Sequence, residues 1–140
     1  MGYDLARLGE ARTIEQLDEW QAGLVVTARM WVVMRKRGVD PAEAMGQRLG
    51  SSAAAWHFWL LMEEVGTAWP DPFLVSPPCC RTLNHDEALL VDMIGDAAGG
   101  ERMAFLTRLR DMLPVELADR LFATTCSFLT ALTQPATAAG

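Results

Sequence analysis

The run Thr13-Ile14-Glu15-Gln16-Leu17-Asp18-Glu19-Trp20-Gln21-Ala22-Gly23-Leu24-Val25-Val26-Thr27-Ala28-Arg29-Met30-Trp31-Val32-Val33-Met34-Arg35-Lys36-Arg37-Gly38 decides the fold class. Apolar residues recur at Ile14, Leu17, Leu24, Ala28 and Trp31, close to helical period. Thr13 stands at an N-cap with Gln16 at N3, the spacing of a capping box. At the far end Arg35, Lys36 and Arg37 crowd the last turn, where cations favour the helix dipole, and Gly38 supplies the C′ residue. The spacing predicts one long helix over 14–37. Its later half is apolar nearly all round and is expected to lie centrally. The apolar core of this run, Leu24 to Met34, contains Arg29 and falls well short of the ~20 residues a membrane span requires, so no membrane partner is expected.

Outward from this helix the punctuation repeats. Asp40-Pro41-Ala42-Glu43 opens a short second helix, with an acceptor cap, Pro41 at N1 and a stop at Gly50. Ser51 or Ser52 caps a third helix through Glu64, with Gly66 past its end. Pro70, Pro72, Pro77 and Pro78 exclude helix and central strand from a long loop over about 67–82. Asn84 and Glu87 begin a fourth helix that ends at Gly99-Gly100. Glu101 to Leu113 forms the fifth, and Pro114 at N1 opens the sixth. No alternating strand pattern and no internal repeat occurs. The expected architecture is all-α, a compact bundle of five or six helices. Residues 1–132 form a single domain, and 133–140 a disordered tail of small residues.

Composition sets the class. The 140 residues are 51% hydrophobic and 21% charged with a net charge of −6, which excludes full disorder and fits one domain. The N-terminal residues carry neither a basic nor an apolar signal region, and three cysteines suit a reducing compartment, so cytoplasm is the expectation. An acidic balance argues against a nucleic-acid partner. Locally, residues 20–62 hold five basic and two acidic side chains. The second and third helices, 41–64, also have helix-turn-helix spacing, with Gly50 at the turn and Gly46 allowing close approach. The would-be reading helix, Ser51-Ser52-Ala53-Ala54-Ala55-Trp56-His57, lacks the Arg, Lys, Asn or Gln that base recognition wants.

The unusual chemistry is Cys79-Cys80-Arg81-Thr82-Leu83-Asn84-His85-Asp86-Glu87. Thiolates and imidazole are ligands for zinc, which makes Cys79, Cys80 and His85 a candidate metal set. After Pro77-Pro78 an extended chain is expected, which turns successive sulfurs apart, and paired C-x₂-C units are absent. Adjacent cysteines also lie too close for a relaxed disulfide. A reactive thiol at Cys79 or Cys80 is better founded, because a helix N-terminus follows and Arg81 is adjacent. Cys126 and the aromatic run Trp56-His57-Phe58-Trp59 read as core. No P-loop, dinucleotide or G-x-S-x-G motif occurs, so nothing supports an enzyme and no catalytic residue or cofactor is expected; zinc is the alternative.

At Pro78-Cys79-Cys80, followed by Asp86-Glu87-Ala88-Leu89-Leu90, the chain resembles a family of small uncharacterised bacterial helical proteins. These pair a Pro-Cys-Cys segment with an Asp-Glu-Ala-Leu-Leu helix start. The apolar helix and basic turn from Leu24 to Gly38 are similar as well, so the resemblance covers roughly residues 24–132. It implies a shared helical fold and no activity. The reading reached from the sequence is a non-enzymatic binding or regulatory module with a protein partner or a second copy of itself. The alternatives are a thiol- or metal-dependent protein and, third, DNA binding through 41–64.

Overall fold

The structure, a computed structural model, describes residues 12–134. Among these, six α-helices follow one another: α1 Glu19–Lys36, α2 Ala42–Leu49, α3 Ser52–Ala68, α4 His85–Ala98, α5 Arg102–Leu109 and α6 Val115–Thr133. No strand occurs among the described residues; a single antiparallel bridge joins Thr13 to Thr82. None of the helices is long and apolar enough to cross a membrane. The expected all-α bundle is the architecture observed.

The long helix expected over 14–37 is divided. Ile14–Gln16 form one 3₁₀ turn, Leu17 is extended, and α1 starts afresh at Glu19. Two overlapping caps cause the break: the Thr13 amide donates to Gln16 Oε1 at 2.8 Å, and the Asp18 amide to Gln21 Oε1 at 3.1 Å. Each cap requires a non-helical residue, so the chain cannot run through both. The bend lays Ile14 and Leu17 on a small cluster of Val25, Leu83 and Val91. It also sets the first described residues beside the loop, with Ile14 N–H donating to the Arg81 carbonyl and Leu83 N–H to that of Arg12, both at 2.8 Å.

The centre is α3, not the later half of α1. Ala54, Ala55, Phe58, Leu61, Met62 and Val65 of α3 are buried, whereas α1 from Met30 onward is half-buried or exposed. Phe58 meets Phe128 of α6 with ring centroids 5.2 Å apart. The α3 helix also runs past its expected stop at Glu64 and through Gly66. Burial of Val65 and Trp69, with the Trp69 amide donating to the Val65 carbonyl, outweighs the weak helix preference of one exposed glycine. The irregular segment therefore begins at Trp69, two residues later than expected.

Other boundaries shift by a turn or less. The fifth helix ends at Leu109, and turns carry the chain to buried Leu113. Pro41 and Pro114 stand at the N-cap of α2 and α6, not at N1, and Asp40 Oδ1 accepts from the Ala42 amide at 3.0 Å. Thr133 is helical; the rest of the expected tail, from 135, lies outside the described residues. Between α2 and α3, Gly50 takes φ +88°, a left-handed turn that suits glycine. A Cβ at Gly46 would lie 3.8 Å from the Ser51 carbonyl oxygen, an ordinary contact, so close helix approach does not require this glycine. Across the turn, α3 faces the core with Ala54, Ala55 and Phe58 and leaves Ser52, Ala53 and Trp56 exposed.

Candidate functional site: a cysteine turn on a buried ion pair

Residues 69–84 cross from α3 to α4, and the first turn of α4 holds them. Asn84 caps α4 by accepting from the Glu87 amide at 2.8 Å, and its side-chain Nδ2 donates to the Leu74 carbonyl at 3.1 Å. Asp86 accepts from the Leu74 amide at 2.9 Å and from the Trp69 indole at 3.4 Å. Trp69 in turn packs edge-on against Phe73 with centroids 5.6 Å apart. These residues do more than place negative charge at a helix N-terminus: they sew an irregular segment to the bundle, satisfying amides that no helix or sheet would.

Glu87 is the centre. Its carboxylate accepts from the Ser76 and Asn84 amides, both at 3.0 Å, and from Arg29 of α1 through Nε at 2.7 Å and Nη2 at 3.0 Å. Both side chains are 1% exposed. The remaining Arg29 donors face the cysteine loop: Nη1 donates to the Cys80 carbonyl at 2.5 Å and Nη2 to that of Thr82 at 3.0 Å. Burial by itself pushes the Glu87 carboxyl up. Arg29 and the Asn84 and Ser76 amides outweigh it and hold the group below the ordinary carboxylate range. One guanidinium thus ties α1, α4 and the cysteine loop together.

The cysteines sit where this tie ends. The chain after Pro77-Pro78 is not extended as expected. It forms a turn in which the Cys80 amide donates to the Pro77 carbonyl at 2.9 Å, with Pro78 at the position its fixed φ favours. Cys79 is exposed and Cys80 half-buried. Cys80 Sγ lies 3.4 Å from Thr82 Oγ1. The Thr82 hydroxyl and backbone pull the Cys80 thiol below its ordinary value; burial opposes them, and the Ser76 hydroxyl and the Arg29 charge add smaller downward effects. The expected cation, Arg81, turns away to Glu15 at 2.7 Å, so Arg29 takes its place. Burial moves the Cys126 thiol on α6 the other way, up.

His85 is the exposed first residue of α4. Among the described residues no three His, Cys, Asp or Glu side chains are grouped to hold a metal ion, so Cys79, Cys80 and His85 are not gathered as a ready zinc site. The aromatic run divides: Phe58 is core, Trp56 is 58% exposed, and Trp59 shares the Arg35 guanidinium with Trp31, at 5.5 and 5.1 Å from the ring centroids. Sequence reasoning passed over Arg29, which read only as an interruption of an apolar run. The signal was there, since a charge amid a buried stretch requires a partner.

Fold and site together define an all-α bundle carrying a thiol-bearing turn anchored to a buried arginine–glutamate pair. Comparison with family models, with curated proteins and with solved structures gives no match to the chain.

Proposed function

We propose that the protein is a non-enzymatic regulatory module whose Cys79–Cys80 turn receives a thiol-directed signal and whose surface engages a protein partner. Arg29 carries this reading: a single buried guanidinium bonds Glu87 and the carbonyls of Cys80 and Thr82. A buried ion pair is a poor device for stability alone, and fits better with specifying one arrangement of the groups it joins. Displacing the turn therefore acts on the packing of α1 against α4.

The chemistry is thiol–disulfide exchange. The Cys80 thiolate attacks one sulfur of a small-molecule disulfide. That S–S bond breaks, a mixed disulfide forms at Cys80, and the other half leaves as a thiolate that takes a proton from solvent. An adduct takes the Cys80 sulfur from its contact with Thr82 Oγ1, so the turn shifts and Arg29 loses an acceptor. An unsatisfied buried charged donor costs on the order of 1–3 kcal/mol. A reducing compartment such as the cytoplasm keeps the thiols free until the signal arrives. Support for a partner surface comes from Met103 and Val115, 69% and 59% exposed on the rim of a groove of about 390 Å³ between α5 and α6.

The test treats the protein, C79S and C80S with oxidised glutathione and follows adducts by peptide mass spectrometry and amide hydrogen exchange. The expected result is an adduct on Cys80 before Cys126, with faster exchange over 74–87 that reverses on reduction. Modification of Cys80 no faster than Cys126, or modification without any change in exchange, refutes the reading. For the partner, M103D/V115D is expected to lose association seen in sedimentation of the native chain; a native monomer at high concentration removes self-association.

A further inference from the structure

A groove follows α1 and shares no residue with the α5–α6 groove that bears Met103 and Val115. It consists of two hollows. The first, of about 760 Å³, lies between Trp20 and Gly23 of α1, Leu49 of α2 and Leu132 of α6. The second, of about 230 Å³, is bounded by Met30, Val33 and Met34 of α1 and by Pro78 of the cysteine turn. Val26 and Arg48 line both hollows, which makes them continuous. The α1 positions recur at helical spacing from Trp20 to Met34, a rise of about 21 Å. Val26, Met30, Val33 and Met34 are half-buried and Trp20 is 39% exposed, so nothing among the described residues covers the outer side of this stripe. Gly23 stands mid-helix on it. A Cβ there would meet nothing within 4 Å, so no contact among the described residues calls for a residue of poor helix preference.

The charges are uneven. Arg48 is exposed where the hollows join, and Lys36 and Arg37 are exposed one turn beyond Val33. None of the three forms an ion pair among the described residues, although the chain carries a net charge of −6. Glu19 lines the opposite end.

We infer that this groove docks an amphipathic helix of a protein partner, about 14 residues long, with apolar anchors on the α1 stripe and carboxylates over Arg48 and toward Arg37. The shape selects a ridge. A helix offers one through anchors at i, i+3, i+4 and i+7, and methionine side chains on the receiving wall adapt to it. The uncompensated cations select acidic flanks, and Glu19 confines these to the half of the partner helix away from it. A bilayer surface is too flat to fill the groove, and duplex DNA has no apolar ridge to lay in it. Arg48 stands near the middle, so a two-fold pairing of groove on groove would set Arg48 against Arg48. The inference is independent of the thiol reading and of the α5–α6 surface.

The test uses fluorescein-labelled helical peptides of about 16 residues, with Leu, Ile, Phe or Met at i, i+3, i+4, i+7 and i+11. One set carries Glu on the flanks of one half, and a matched set carries Lys there. Anisotropy is measured with the full chain, R48E and G23F, and the methyl resonances of Met30 and Met34 report the place of binding. Arg48 is exposed and Gly23 faces open space, so both variants should fold, which thermal melts check. Peptides of the Glu set are expected to bind with Kd below ~100 μM, to shift both methyls, and to exceed their Lys counterparts by about tenfold or more. Affinity should fall by about tenfold or more in each variant. Absence of binding by every Glu peptide at ~1 mM chain, equal binding by the Lys set, or affinity unchanged in R48E or in G23F overturns the inference. So do methyl shifts produced by a second copy of the chain, by anionic vesicles or by duplex DNA in place of the peptides.

Discussion

Replacing Arg29 with Met removes the one side chain that joins α1, α4 and the cysteine turn. Four hydrogen bonds go with it, two to Glu87 and two to loop carbonyls. Glu87, 1% exposed, keeps only amide donors to offset its charge. Breaking a buried pair by removing one partner costs about 3–5 kcal/mol, a large share of a stability of roughly 5–15 kcal/mol. With a urea slope of about 1–3 kcal/mol/M, the midpoint should fall by about 2 M. E87Q should cost on the order of 2–4 kcal/mol, because it leaves the guanidinium buried without a counter-charge. The double variant R29M/E87Q removes both charges while Gln can still accept from an amide. It should lie above the sum of the singles by about 2 kcal/mol or more. The pH dependence adds a sign. The Glu87 carboxyl is held below its ordinary value of 4.5, so its contribution is present above that value and lost as pH falls through the folded-state one. The gap between native protein and E87Q should therefore close on acidification. Urea melts of the four proteins decide the matter. An R29M cost below about 1 kcal/mol, or singles that add within about 0.5 kcal/mol, would refute the reasoning.

Other outcomes are simpler to read. G50A should lose about 1–2 kcal/mol because φ is +88° there, whereas G46A should be neutral or gain about 0.5–1 kcal/mol, since its new methyl meets nothing closer than 3.8 Å; thermal melts compare them. F58A empties a fully buried site against Phe128 and should cost about 3–5 kcal/mol by denaturant unfolding, and a cost near 1 kcal/mol would mean that α3 is not the centre. Iodoacetamide at neutral pH should label Cys80 before Cys126, since the Thr82 hydroxyl and its neighbours lower one thiol while burial raises the other. Peptide mapping over a pH series should place the two onsets in that order.

What the amino-acid sequence determined by itself was local. Helix starts and stops at Asn84, Ser51, Gly38 and Gly100 are set by side chains bonding backbone within a few residues, and by glycine's freedom at φ > 0, so they can be read without the fold. Proline exclusion located the irregular segment for the same reason. Where two local signals competed, as at Thr13 and Asp18, or where burial overrode one, as at Gly66, the boundaries moved. The site depended on partners far apart in the chain. Arg29 and Glu87 are 58 residues apart, and neither residue's own neighbourhood shows that they meet. Glu87 satisfies a capping pattern, and that local role hides the distant one. The exchange of Arg81 for Arg29 beside Cys80 has the same origin: adjacency in sequence fixes the backbone, while a guanidinium on a long side chain goes where a carboxylate is, and here that is Glu15. Only the packing of α1 on α4 decided which charge reached the thiol, because burial makes an unpaired charge too costly to leave alone.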